Sequence, residues 1–258
     1  MFEFASIRIP GGIELGIVTG GTAYTGKVWR ALARQIYCEH GDGGFWEIDH
    51  LPGGTPYIYN EPVRLSISHT DGCFVGATLR APEGFDPSAF TLPTALGVDV
   101  ERIDREKVVR LRERFLTEDE CKIIASEEVS TNILAWCCKE AMLKAGLDSA
   151  VDWRHGLRIL SLPIPVDAEA EKGKKRFEGK EGRGVISRPE GDIELGLSAL
   201  RYGDFIIAVA HQRVVRQLKT PPKDSSESLP VVNPTIYGAK RRLVGCPSCC
   251  RLARRACL

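Results

Sequence analysis

Three carboxylates and a lysine occur at spacings that could gather them around one metal ion and a phosphate group. Asp99 and Glu101 lie two residues apart in an apolar, β-branched run, so a strand places both carboxylates on one face. Glu140 and Lys144, about forty residues further on, are four apart and share one face of a helix. Magnesium prefers carboxylate oxygens, and a lysine ammonium binds phosphate oxygens. The pattern therefore predicts magnesium-assisted chemistry on a phosphorylated substrate.

Each part of this pattern also has a purely structural explanation. Asp99 and Glu101 could be the solvated face of an edge strand, and Glu140 with Lys144 could be an ordinary helix ion pair. The conjunction favours a functional site, because the strand motif directly follows Gly97 and the helix motif, which begins at Lys139, lies three residues behind the aromatic Trp136.

These motifs resemble the signature of the 4'-phosphopantetheinyl transferase superfamily. That signature is Gly-(Val/Ile)-Asp-x-Glu, followed some forty residues later by (Phe/Trp)-x-x-Lys-Glu-(Ala/Ser)-x-x-Lys, and residues 97–101 and 136–144 fill every position. Residues 64–70 resemble the Asn-x-Ser-His segment of the larger, two-half members, and residues 114–120 resemble their Arg-Phe-Phe-Ser-x-x-Glu helix start. We therefore expect a transferase of this larger type.

The resemblance implies transfer of 4'-phosphopantetheine from coenzyme A to a serine of an apo acyl or peptidyl carrier protein, with release of 3',5'-ADP. It implies that Asp99, Glu101 and Glu140 hold Mg²⁺, and that Asp99, Glu140 and Lys144 are catalytic. Lys144 would stabilise charge that develops on the phosphate. Glu140 is the best candidate to accept the serine proton, directly or through a metal-bound water, and the sequence leaves open whether it is base or ligand.

Binding of the coenzyme is predicted from two segments. Ser68 and His69 are expected where a strand ends in a turn, and the resemblance suggests that both donate hydrogen bonds to a phosphate. Lys27, Arg30 and Arg34 share one face of a predicted helix and could bind the 3'-phosphate, although basic residues on a helix are usually its solvated face. They would compensate for basic residues that the larger members carry where this chain has Thr22 and Thr55.

An α+β fold is predicted from the elements that must position these residues. Two hairpins, with strands over 63–68 and 73–79 and over 193–199 and 205–210, are each preceded by a helix, over 25–37 and 132–145. This repetition suggests a pseudo-twofold pair of similar halves, 1–93 and 94–213. Each half would pack an antiparallel sheet against a long helix, with the active site in the cleft between them. Such a duplicated chain can act as a monomer.

Local signals add three expectations. Val28, Leu32 and Ile36 are expected to form the apolar stripe of the first helix. Thr117 and Glu120 are expected to form a capping box at a helix start. Residues 168–184 are too charged and glycine-rich to pack, so they are expected to form an exposed loop.

The last part of the chain, residues 214–258, is predicted to be a linker and a disordered tail. The run from Lys219 is rich in proline and serine, and the tail carries basic residues with four cysteines. Its Cys246-x-x-Cys249 pair is one half of a usual zinc site, but Cys250 is too close to it to begin a familiar second half.

Composition limits the class of protein. The chain has 258 residues, 43% of them hydrophobic, and a formal net charge of +1, so neither nucleic acid nor membrane surfaces would attract it overall. No apolar stretch is long enough to span a bilayer, and no signal peptide is apparent at the start. We expect a cytoplasmic globular protein whose nine cysteines are reduced.

Three other functions are compatible with parts of the sequence. A non-catalytic module could bind coenzyme A or a nucleotide with the same fold. The basic tail could bind nucleic acid, which would make binding steeply salt-dependent. A magnesium-dependent phosphohydrolase would release phosphate without any protein acceptor.

Overall fold

The computed structural model describes residues 1–20, 25–40, 45–51, 53–58, 61, 63–80, 95–124, 128–146, 151–168 and 177–212. The predictions for Thr22 and for the tail over 214–258 lie outside the described residues. Among the described residues, no helix is long and apolar enough to cross a membrane.

The first sheet is antiparallel, and helix α1, Gly26–His40, lies against it. Its strands are β1 Phe2–Ile9, β2 Ile13–Gly20, β3 Ile48–His50, β4 Pro56–Ile58, β5 Val63–Thr70 and β6 Cys73–Arg80. Their spatial order is β1-β2-β6-β5-β4-β3.

The second sheet is antiparallel along its main order, β7-β12-β11-β10-β8, with β9 paired in parallel to β11. Its strands are β7 Leu96–Arg102, β8 Leu157–Ser161, β9 Val166–Asp167, β10 Gly182–Ile186, β11 Ile193–Tyr202 and β12 Phe205–Gln212. Among the described residues between β7 and β8, the helices are α2 Lys107–Arg110, α3 Arg112–Phe115, α4 Glu118–Ile123 and α5 Val129–Gly146.

Three clusters of buried apolar side chains stack these elements in four layers. Tyr37 and Leu65 belong to the cluster between α1 and the first sheet. Val75 and Val98 belong to the cluster between the two sheets, and Met142 to the one between α5 and the far face of the second sheet. The order α1, first sheet, second sheet, α5 confirms the predicted α+β class, while the similarity of the two halves stays a prediction.

Several predicted elements are confirmed with longer ends. Helix α5 and both hairpins are present, and the Thr117 hydroxyl and the Glu120 carboxylate form the expected capping box at α4. The described cysteines are free thiols in the structure: Cys38, Cys73, Cys121, Cys137 and Cys138.

The predicted apolar stripe of α1 is wrong by one position. Val28 is 42% exposed and Leu32 and Ile36 are half-buried, whereas Trp29 and Tyr37 are buried against the first sheet. The two aromatic rings remove more apolar surface from water than the aliphatic side chains would, so they decide which face turns inward.

The exposed loop predicted over 168–184 is also wrong where the structure describes it. Ala168 and Phe177 are buried in the cluster between the sheets, and the segment ends in strand β10. At Gly184, an added Cβ would lie 2.8 Å from the Met142 Sδ atom. This glycine therefore serves close approach of α5 to the sheet rather than loop flexibility.

Candidate active site

Strand β7 and helix α5 lie in direct backbone contact at Gly97. A Cβ at this position would be only 1.9 Å from the Ala141 carbonyl oxygen, so only glycine permits this approach. Val98 and Val100 point into the cluster between the sheets, and the alternation turns Asp99 and Glu101 to the α5 side. The predicted orientation of the two carboxylates is confirmed, but both are buried rather than on a solvated face.

Lys144 joins three elements at the centre of the site. Its Nζ atom donates hydrogen bonds to Asp99 Oδ1 at 2.8 Å, to Ser68 Oγ at 2.9 Å and to the Val98 carbonyl at 3.0 Å. The Ser68 hydroxyl donates to the same Asp99 oxygen at 2.8 Å. Strand β5, strand β7 and helix α5 therefore each contribute one side chain to a single hydrogen-bonded group.

A row of hydroxyl groups on β5 connects the first sheet to β7. Ser66 Oγ accepts from the Val98 backbone N–H at 3.0 Å, and Thr70 Oγ1 donates to Glu101 Oε2 at 3.4 Å, with Ser68 between them. Sequence reasoning overlooked Ser66 and Thr70. Their alternation, Ser-x-Ser-x-Thr, was the available signal, because every second residue of a strand shares a face.

His69 does not lie in a turn as predicted. Strand β5 continues to Thr70, and the connection to β6 is the two residues Asp71 and Gly72, with Gly72 at a φ of 84°. An Asp-Gly pair suits such a tight hairpin, which shortens the expected turn. His69 is exposed and pairs with Phe74, on the face of β5 opposite to Ser68.

Glu101 is buried at the end of β7 and forms an ion pair with Arg105 through Oε2. Burial raises the pKa of the Glu101 carboxyl, the Arg105 guanidinium opposes this shift, and the nearby Asp99 charge adds to it. The arrangement therefore holds a carboxylate in a place where an isolated negative charge is unfavourable.

Glu140 lies one turn before Lys144 on α5 and is half-buried. Burial raises its pKa most, the Asp99 charge raises it further, Lys144 lowers it, and Glu101 raises it again. The three predicted ligands are therefore electrostatically coupled. One turn earlier still, Trp136 packs edge-to-face on Phe115 and Trp153, with ring centroids 5.3 Å and 4.7 Å away.

The carboxylates fit a hard cation by their chemistry. Asp99 Oδ2 is buried and has no hydrogen-bond partner among the described residues, and oxygen donors are what Mg²⁺ prefers. Within the described part of the chain, no three His, Cys, Asp or Glu side chains are close enough together to hold a metal ion as they stand. In this arrangement Lys144 and Arg105 balance the charges of Asp99 and Glu101.

A cavity of about 340 Å³ opens beside Lys144. Residues 53–56, residues 65–67 and the side chains of Leu96 and Leu143 complete its lining, so it is mostly apolar with one cation at its wall. Thr55, the position where the larger transferases carry a basic residue, is part of this lining.

The three basic residues predicted on α1 differ in their hydrogen-bond partners. Lys27 is exposed. Arg30 Nε donates to the Gly26 carbonyl at 3.1 Å, and Arg34 donates to the Ile48 carbonyl, which ties α1 to β3. Two of the three cations are therefore engaged by backbone oxygens of the first half.

Lys139 is a site residue whose role sequence reasoning missed. Its side chain is fully buried, and Nζ contacts Glu120 Oε1 at 2.8 Å and the Arg154 carbonyl at 3.2 Å. Glu120 in turn accepts from the Ile159 N–H at 2.7 Å and from the Thr117 N–H at 2.8 Å. This buried network anchors α5 on a different face from the neighbouring Glu140.

Comparison with known proteins agrees with this geometry. Residues 95–184 match the family model of the 4'-phosphopantetheinyl transferase superfamily, and the match contains Asp99, Glu101, Glu140 and Lys144. No curated protein matched the chain. The match supports transfer of a phosphopantetheinyl group in general. By this match, residues 95–184 are similar to the 4'-phosphopantetheinyl transferase superfamily.

Proposed function

We propose that this protein transfers the 4'-phosphopantetheine moiety of coenzyme A to a serine hydroxyl of an apo carrier protein, with Mg²⁺ and with release of 3',5'-ADP. The observation that carries the proposal is the contact between the two motifs. Lys144 of the helix motif and Asp99 of the strand motif meet at 2.8 Å, next to a cavity. Two unrelated surface motifs would not be expected to contact each other in the folded protein.

The carboxylates supply the metal-binding part of the proposal. Asp99, Glu101 and Glu140 would hold Mg²⁺, which would neutralise charge on the pyrophosphate as the bridging oxygen departs. Lys144 holds Asp99 in place and borders the cavity, so its ammonium can also face phosphate oxygens of a bound coenzyme.

Glu140 is the proposed acceptor of the serine proton. Its half-buried carboxyl has a raised pKa, which makes it a stronger base than an ordinary glutamate. Asp99 Oδ1 is engaged by Lys144 and Ser68, and its other oxygen, Oδ2, is the one proposed for the cation. Glu101 is paired with Arg105 through Oε2. Glu140 is therefore the carboxylate that we assign to proton transfer.

The cavity beside Lys144 is the proposed entry of the coenzyme. Its apolar lining suits the organic part of the coenzyme, and Lys144 with Ser68 suits a phosphate. His69, Lys27 and Arg30 are the exposed cationic or hydrogen-bonding groups that we propose for further phosphate contacts. Arg34 is assigned a structural role because it holds β3.

The test is incubation of the protein with coenzyme A, Mg²⁺ and several apo carrier proteins, followed by intact mass measurement of each carrier. Addition of one phosphopantetheine arm to a carrier, lost with a chelator and in Asp99→Asn, is the expected result. Phosphate release without a carrier would instead indicate a phosphohydrolase. Coenzyme binding with no modification of any carrier would indicate a binding module.

A further inference from the structure

Two cations balance the buried carboxylates, and they are held very differently. Lys144 Nζ has three acceptors within 3.0 Å and is 31% exposed. The Arg105 guanidinium pairs with Glu101 and its side chain is 52% exposed. Lys144 is therefore held on several sides by the folded chain, whereas Arg105 lies at the protein surface.

The backbone that carries Arg105 is fixed independently of this ion pair. Arg105 lies in the turn between β7 and α2, where the Ile103 N–H donates to the Asp204 carbonyl at 2.9 Å. The Val108 N–H donates to the Arg105 carbonyl at 3.0 Å. The guanidinium can therefore leave Glu101 without any loss of these backbone hydrogen bonds.

A divalent cation at Glu101 would compete directly with Arg105. Arg105 pairs with Glu101 through Oε2, and a guanidinium beside a doubly charged ion held by the same carboxylate is repelled by that ion. The opposing ion pair has one half-exposed partner, Arg105, so solvent screens it more than it would screen a fully buried pair. Asp99 and Glu140 add negative charge that a divalent cation can use and that Arg105 alone leaves unbalanced.

We propose that Arg105 is an internal counter-ion of Glu101 that a bound divalent cation displaces, so that Arg105 sets the cation affinity of the site. The proposal rests on the three-carboxylate site of the proposed function. It adds a residue that weakens cation binding while balancing the charge of Glu101 between binding events.

The test is calorimetric titration of the full-length protein with Mg²⁺, without coenzyme or carrier, at about pH 8, well above carboxyl pKa values. Arg105→Ala should bind Mg²⁺ about three-fold or more tightly than the wild type, since an ion pair and a charge repulsion are both removed. Arg105→Lys should remain near the wild type because it keeps the charge.

Arg102→Ala is the matched control. Arg102 is the neighbouring surface arginine and pairs with exposed Asp104, so its loss removes the same charge away from Glu101. It should leave Mg²⁺ affinity unchanged. Melting temperatures in chelator check that every variant is folded.

Equal or weaker Mg²⁺ binding by Arg105→Ala overturns the proposal, because Arg105 would then be neutral toward the cation or would help to position Glu101. Absence of Mg²⁺ binding in both proteins overturns it as well. Carrier modification is measured separately, so failure of this inference is distinguishable from failure of the proposed transfer.

Discussion

The proposed reaction needs the ionised carboxylate of Glu140, and the folded protein disfavours this ionised form. Burial and the charges of Asp99 and Glu101 raise its pKa, and Lys144 offsets them in part. A carboxyl whose folded-state pKa exceeds the unfolded one contributes stability below the unfolded pKa, and this contribution is lost as pH rises through the folded pKa. Ionisation of Glu140 therefore destabilises the fold.

We predict that Glu140→Gln lowers the maximal transfer rate by about a hundred-fold or more while raising the melting temperature in chelator at about pH 8. The stability gain should vanish below about pH 4, where the carboxyl is protonated in both states. Calorimetric melts across pH provide the measurement, with Glu113→Gln on the exposed surface of α3 as the control. An unchanged or lower melting temperature at pH 8 would contradict the electrostatic account.

His69 and Lys144 should differ in the kinetic constant that they affect. We predict that His69→Ala mainly raises the KM for coenzyme A, because an exposed imidazole contributes to binding rather than to the transition state. Lys144→Ala should mainly lower kcat, because it removes the partner of Asp99 and a phosphate-facing charge. Steady-state kinetics with varied coenzyme separate the two, and the reverse pattern would exchange their roles.

At the scale of elements, the contact between β7 and α5 decides where the catalytic side chains meet. We predict that Gly97→Ala destabilises the protein by about 2 kcal/mol or more, since the new Cβ meets backbone and not a flexible side chain. Gly26→Ala, at an open position in α1, should instead stabilise by about 0.5–1 kcal/mol. Denaturant unfolding measures both, and equal effects would show that the close approach is unimportant.

The Lys139–Glu120 pair anchors α5 from its other side. We predict that Lys139→Met costs about 3–5 kcal/mol, because it leaves the buried Glu120 carboxylate without its cation. The double variant Lys139→Met with Glu120→Gln should recover part of that loss, since it removes the charge but leaves the N–H of either Thr117 or Ile159 without its acceptor. Denaturant unfolding again decides, and a double variant as unstable as the single one would rule out an uncompensated charge as the cause.

The sequence predicted those parts of the site that depend on local periodicity. The face shared by Asp99 and Glu101 follows from the two-residue repeat of a strand, and that of Glu140 and Lys144 from helical spacing. The partners of Ser66, Thr70 and Lys139 depend on which strands and helices cross, and no local pattern contains that information. Arg105 escaped notice for the same reason, since it is four residues from Glu101 but reaches it around a turn.

At the scale of the whole molecule, the α+β class was predictable because hairpins and helices alternate along the chain. The stacking of the two sheets was not predictable. The sequence of each inner strand indicates only that the strand is buried, and not which strand packs against it. Phe177 illustrates the limit: its charged and glycine-rich surroundings indicated a loop, yet its ring is buried between the sheets. Composition over a segment conceals the single apolar residue that anchors it.

The tail provides the last prediction. We predict that deletion of residues 219–258 leaves the transfer rate within about three-fold of the full-length protein, since no motif residue lies in it and a proline- and serine-rich run precedes it. The mass assay with an apo carrier measures the rate at low and high salt. An effect confined to low salt would indicate electrostatic steering of an acidic carrier. Complete loss of activity in a folded truncated protein would assign the tail to the site.

The hydroxyl row on β5 makes catalytic competence depend on contact between two layers. Ser66 and Ser68 belong to the first sheet, while the groups that they hold, Val98 and Asp99, belong to the second. Regions at the margin of a core open at lower cost than the core itself. On gentle heating, transfer should therefore cease while the circular dichroism of both sheets is still native. Loss of transfer activity would then report separation of the two sheets at a lower temperature than loss of secondary structure does.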